Sequence, residues 1–257
     1  MSDPLPADGR DPPRREPIFS IPAVVVALIA ALAGLYALYD LASPETQDSA
    51  LRMFAFLPKR LTWAIWNEHP VNPFFRVDAA QPWTLVTYAF LHGSWMHVLL
   101  NSVWLVAFGP PVARRFGAAR FLAFFAFTAI AGALAHWLVY PNDLGPLVGA
   151  SAADSGLMAA VTRFIFEPGA PLGSPQGYSM SAGEVDALRP APPLAQLLRE
   201  RRALGFIAIW MATNFVFGAG AQTLGASDAP VAWIAHVGGF VAGLVAFPLF
   251  DPAPQAR

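Results

Sequence analysis

Four polar side chains stand inside strongly apolar stretches of the chain: His97 and Asn101 within residues 95–108, Ser151 within 148–162, and His236 within 231–250. In hydrocarbon a hydroxyl must find a hydrogen-bond partner and an ionisable group must be paired, neutral or next to water, so such residues are functional candidates by default. A serine hydroxyl is a poor nucleophile until a base takes its proton, and imidazole is the side chain suited to do so near neutral pH. Acyl transfer to the serine oxygen builds an oxyanion, for which the His97 ring N–H, the Asn101 amide and the Ser151 backbone N–H are fitting donors. No acid stands clearly behind His236, so the expected arrangement is a Ser151–His236 dyad.

Bringing these groups together requires elements that cross a membrane. With 257 residues, 56% hydrophobic and 13% charged, the chain is too apolar for a soluble domain of its size and reads as a polytopic, all-α membrane protein. A net charge of −1 argues against nucleic acid as a partner. The absence of cysteine removes disulfides, thiolate nucleophiles and Cys-ligated metals, and the chemistry above calls for neither metal nor cofactor.

Residues 1–17, rich in Pro, Asp and Arg, are expected to form a disordered cytoplasmic tail. Residues 18–251 are expected to form a membrane domain of six helices, and 252–257 a short C-terminal tail. The expected spans are Ile18–Tyr39, Trp95 to the Arg114-Arg115 pair, Phe121–Tyr140, Val148–Phe166, Ala203–Phe217 and Val231–Phe250. Ser94 is positioned to cap the second. The first connector, residues 42–82, interleaves Phe54, Trp63 and Trp66 with Arg52, Lys59 and Arg60, which suits the headgroup zone. Residues 168–202 form a Pro-rich loop ending in a basic stretch, Leu194 to Arg202, with the makings of a surface helix.

Arginines fall in the N-terminal tail (Arg10, Arg14, Arg15), the second loop (Arg114, Arg115, Arg120) and the fourth (Arg163, Arg189, Arg199, Arg201, Arg202), while the third and fifth loops have none. The positive-inside rule then puts both termini in the cytoplasm. In that topology His97, Asn101, Ser151 and His236 fall in one layer near the outer face. Close helix approach is also written in the sequence, by Gly149, Ala152, Ser155 and Gly156 on the fourth span and by Gly239 and Gly243, a small-xxx-small pair, on the sixth. His92 is expected to point away from Asn101, above its helix. His136, at similar depth, lacks such a seam and is assigned a structural role.

At these residues the chain resembles the rhomboid family of intramembrane serine proteases. The matching pieces are His92-Gly-Ser-Trp-Met-His97-Val-Leu-Leu-Asn101, Gly149-Ala-Ser151 and Ala235-His236-Val-Gly-Gly239-Phe-Val-Ala-Gly243, in order on the second, fourth and sixth spans. The resemblance implies a six-transmembrane-helix rhomboid-like bundle with a cavity open to the outside, a Ser151–His236 dyad and an oxyanion site of His97 and Asn101. It implies as substrates the transmembrane segments of other proteins in the lipid bilayer, with the site facing outward; Arg outnumbers Lys fifteen to one, which points to a bacterial source and so to the inner membrane.

Two residues depart from the family pattern. Ala152 stands where a glycine follows the serine, and its methyl is expected to crowd the helix start or the oxyanion pocket. Asp154 stands where an apolar residue is usual and is expected to be structural, protonated or hydrogen-bonded to a neighbouring span, with Asn214 as a partner. Two other functions stay open at this point: a catalytically inactive relative that binds membrane clients, suggested by Ala152, and a membrane cytochrome whose histidines ligate haem.

Overall fold

The computed structural model describes residues 21–66, 81–166, 191–220 and 232–252. The expected tail over 1–17, the opening of the first span, the connector around 67–80, most of the 168–202 loop, the fifth loop and the last five residues lie outside the described residues.

Ten α-helices are present among the described residues: α1 (Ala23–Asp40), α2 (Pro44–Phe54), α3 (Pro58–Trp66), α4 (Thr84–Thr87), α5 (Trp95–Phe116), α6 (Ala118–Val139), α7 (Ser151–Thr162), α8 (Leu194–Leu197), α9 (Arg201–Gly220) and α10 (Trp233–Phe250). No strand occurs among them beyond one bridge between Phe56 and Leu147. Four helices, α1, α5, α6 and α10, are long and apolar enough to cross a membrane.

Their outer faces carry apolar side chains that stand exposed among the described residues, such as Leu38 at 70% and Leu249 at 81% exposure. In water that would be a liability; in lipid it is the solvent-matched surface. On α1 the buried residues Val25, Leu28, Leu32 and Tyr36 recur at helical spacing and form a single stripe. That stripe packs on α5, where Val25 rests on Gly109.

α5 starts as its sequence predicts, with the Ser94 hydroxyl accepting from the His97 N–H at 3.1 Å. It ends at Gly117, whose φ of +75° turns the chain directly into α6. The first connector folds into two amphipathic helices, α2 and α3. The basic stretch after residue 193 gives only the four-residue α8, and α9 begins at Arg201, two residues ahead of the expected span.

α7 differs most from expectation. It has 12 residues, about 18 Å of helix, where the apolar run suggests a full span. Its first residue is Ser151, and every residue from Ala152 to Thr162 is buried. α7 is thus the central post of the bundle, enclosed by α5, α6 and α10. At the end of the bundle away from Ser151, the Arg115 guanidinium grips Asp251 through two hydrogen bonds of 2.9 and 2.8 Å, tying α5 to the end of α10.

Candidate active site

Small residues decide how close α7 and its neighbours come. A side-chain carbon at Gly239 would run into the Ala152 backbone, and one at Gly243 would lie 2.6 Å from the Gly156 carbonyl oxygen. These two glycines, one turn apart, let α10 rest backbone to backbone on α7. Ala152 points into the same seam, towards α6, where a carbon on Gly132 would lie 2.5 Å from its methyl. The methyl therefore fills the space left by Gly132 and does not enter the nucleophile's side, contrary to the crowding expected from sequence.

This seam brings His236 over the start of α7. Its Nε2 lies 2.7 Å from the Ser151 hydroxyl, a contact between residues 85 positions apart. Its Nδ1 lies 2.8 Å from Oδ1 of Asn214 on α9. Asn214 in turn donates from Nδ2 to the Trp210 carbonyl at 3.0 Å. The pairing of Asn214 with Asp154 expected from sequence is therefore not made. Both Asp154 carboxyl oxygens are buried and have no hydrogen-bond partner among the described residues.

The segment leading into Ser151 is held from three directions. Leu147 exchanges backbone hydrogen bonds with Phe56 of the first connector at 2.8 and 3.3 Å, and the Gly149 N–H donates to the Tyr88 carbonyl at 3.0 Å. The Tyr88 hydroxyl, fully buried, donates to the Ala129 carbonyl of α6 at 2.8 Å. Gly149 has φ +109°, which side chains with a Cβ rarely tolerate. Any such carbon would also collide with the His97 ring and press on the Asn101 amide. Glycine here lets the His97 and Asn101 donors lie directly against the backbone that precedes Ser151.

α7 adds donors of its own. Its first backbone hydrogen bond within the helix is Asp154 N–H to the Ala150 carbonyl, so the N–H groups of the residues before Asp154 have no acceptor in the helix. Ser151 Oγ stands beside these N–H groups, and the His97 ring and Asn101 amide lie against Gly149 two residues before it, an arrangement suited to acyl transfer through a tetrahedral oxyanion.

His92 lies elsewhere than expected: its Nε2 is 2.9 Å from Asn101 Nδ2, and its ring meets His97 edge-on at 4.9 Å. The signal was present as the first histidine of the His92–His97–Asn101 motif, but a count along the helix cannot place a residue that precedes it. His136, by contrast, has Asp143 as its partner, at 3.4 Å. The Ser155 hydroxyl returns to its own helix, donating to the Ser151 carbonyl at 2.7 Å. Ser151, His97, His236 and Asn214 are each only half-buried, so these side chains remain partly accessible.

Residues 79–183 match the Rhomboid domain family. The match includes His97, Asn101 and Ser151 but ends before Asn214 and His236, which join the site through the geometry above. The chain is 32% identical over 110 residues to the rhomboid-type protein YdcA of Bacillus subtilis (strain 168), covering 43% of this chain and 54% of that one. It is 35% identical over 81 residues to Rhomboid-like protease 3 of Toxoplasma gondii, 32% and 30% of the two chains. It is 26% identical over 182 residues to Rhomboid protease GlpG of Klebsiella pneumoniae (strain 342), 70% and 51% of the two chains. The chain thus spans about half or less of the length of these relatives.

Proposed function

We propose that this rhomboid family protein is an intramembrane serine endopeptidase that hydrolyses peptide bonds in or near the transmembrane segments of other membrane proteins. The observation that carries this is the 2.7 Å approach of His236 Nε2 to the Ser151 hydroxyl. In the reaction Ser151 Oγ attacks the peptide carbonyl carbon as its proton passes to His236 Nε2. The carbonyl oxygen, now negative, is held by the His97 ring N–H, the Asn101 amide and the Ser151 N–H. His236 then gives the proton to the departing amine, and water hydrolyses the acyl-enzyme by the same steps.

The proposed topology has α1, α5, α6, α7, α9 and α10 as its six spans, with both termini cytoplasmic and the site facing outward, in a bacterial inner membrane. Within it α7 is the shortest span. A helix of about 18 Å leaves the rest of the layer to the segment before Ser151, which sets the nucleophile below the outer surface, where the end of a substrate helix would arrive.

Two other functions are weaker. The inactive client-binding alternative rests on Ala152, whose methyl faces Gly132 of α6. Haem ligation by His236 competes with two partners already on its ring nitrogens. Cleavage of a type I membrane substrate in liposomes is the test. The expected result is cut sites in or near its transmembrane segment with the wild type and none with Ser151→Ala or His236→Ala. Client capture without any cleavage would favour the inactive relative.

A further inference from the structure

A serine base works only if the ring nitrogen facing the hydroxyl carries a lone pair, which makes the tautomer of His236 part of the mechanism. The structure contains a chain of hydrogen bonds that sets it. A carbonyl oxygen can only accept, so the Trp210 carbonyl, 3.0 Å from the Asn214 amide, must receive its Nδ2 and not its oxygen. That turns Oδ1 towards His236, 2.8 Å from Nδ1. Oδ1 is likewise an acceptor only, so Nδ1 must carry the hydrogen, and Nε2 is left with its lone pair facing Ser151 Oγ at 2.7 Å.

α9 is held at this register one turn away, where the Trp210 ring stacks on Phe240 of α10 with centroids 4.2 Å apart and planes inclined by 18°. Trp210 is four residues before Asn214 and Phe240 four after His236. The stack and the hydrogen bond are therefore successive rungs between the same two helices.

We propose that Asn214 is a positioning residue that fixes His236 in its Nδ1–H tautomer and in the ring orientation needed to accept the serine proton. This rests on the protease function proposed above and extends the dyad to a Ser151–His236–Asn214 triad in which the third member is neutral and takes up no proton. Asn214 adds no charge to the imidazolium formed in the reaction, so its effect is on orientation and tautomer and not on the basicity a carboxylate would confer. The other titratable groups acting on His236 are His97 from α5 and His136 from α6; on α7, Asp154 stands one turn below Ser151.

The test combines kinetics with nitrogen NMR on protein carrying 15N-labelled histidine. The chain has only five histidines, and His236→Ala identifies the His236 signals by difference. Wild type is expected to show a neutral His236 with the hydrogen on Nδ1. Asn214→Leu, which keeps the bulk and removes the acceptor, is expected to give mixed tautomers and a fall in kcat of about 10- to 100-fold with KM little changed. Asn214→Asp restores an acceptor and adds negative charge, so it should recover activity to within about threefold of wild type and move the acid limb of the pH profile to higher pH.

Thr213→Ala, next to Asn214 with a hydroxyl that only returns to the Ile209 carbonyl, should change neither readout and controls for damage to α9. The proposal is overturned if Asn214→Leu keeps kcat within about twofold, if its His236 tautomer matches wild type, or if Asn214→Asp is as slow as Asn214→Leu. Should the wild type cleave nothing, the nitrogen spectrum of the resting protein still decides the tautomer, separately from the protease function.

Discussion

Ser151 occupies the first turn of α7, where unsatisfied N–H groups and the helix dipole favour developing negative charge, and the proposed base, His236, arrives from a helix packed within backbone contact. If His236 is the base it must be neutral to act. Lowering the pH protonates it and removes the acceptor, so kcat/KM should fall on the acid side with the slope of one proton, in rates of peptide cleavage measured across pH. Ala152 gives a sharper prediction. Because its methyl sits against Gly132, Ala152→Gly should leave kcat within about threefold while lowering stability by about 1 kcal/mol, the helix cost of glycine, read from thermal unfolding in detergent. Gly149→Ala should do the reverse of a mild change: strained at φ +109° and pressed against the His97 ring, it is expected to lower kcat at least about 100-fold by displacing the oxyanion donors.

Among the elements, α10 carries the proposed base, and two glycines set its distance from α7. Gly243→Leu, about two turns below His236, should push the helices apart and reduce both the melting temperature and the cleavage rate, whereas Gly34→Leu, in open space on α1, should leave the cleavage rate unchanged and not lower the melting temperature. The apolar runs of α1, α5, α6 and α10 were legible in the sequence because their composition alone demands lipid, and Ser94 announced the start of α5. The seam was legible from Gly239 and Gly243 because close packing leaves small residues at helical spacing. The start of α7 was not, since Val148 and Ala150 are as apolar as a helix interior and only the backbone shows that Gly149 has positive φ. Nor were the partners of Asn214 and Asn101: a polar residue in an apolar helix signals a need for a partner, but its identity depends on helix rotation, which no linear pattern carries.

At the scale of the whole molecule, the bundle is tied at its far end by Arg115 and Asp251, whose side chains are 10% and 6% exposed. Removing the carboxylate in Asp251→Ala leaves a buried guanidinium without its strongest partner and should cost about 3 kcal/mol of stability, with the site's chemistry intact, as seen in thermal unfolding beside kcat. The cysteine-free sequence makes topology directly testable. A single cysteine at Leu144, in the turn between α6 and α7, should react with an impermeant maleimide on intact cells, and one at Ala119, beside the α5–α6 turn, only after permeabilisation. The opposite pattern would invert the proposed orientation. The claim on which all of this depends is that His236 makes Ser151 a nucleophile, and covalent labelling by a fluorophosphonate, located by peptide mass spectrometry, tests it most directly. The expected result is one adduct on Ser151, absent in Ser151→Ala and strongly reduced in His236→Ala. An adduct that persists in Ser151→Ala, or a folded wild-type protein that takes up no label and cleaves no substrate, would contradict it.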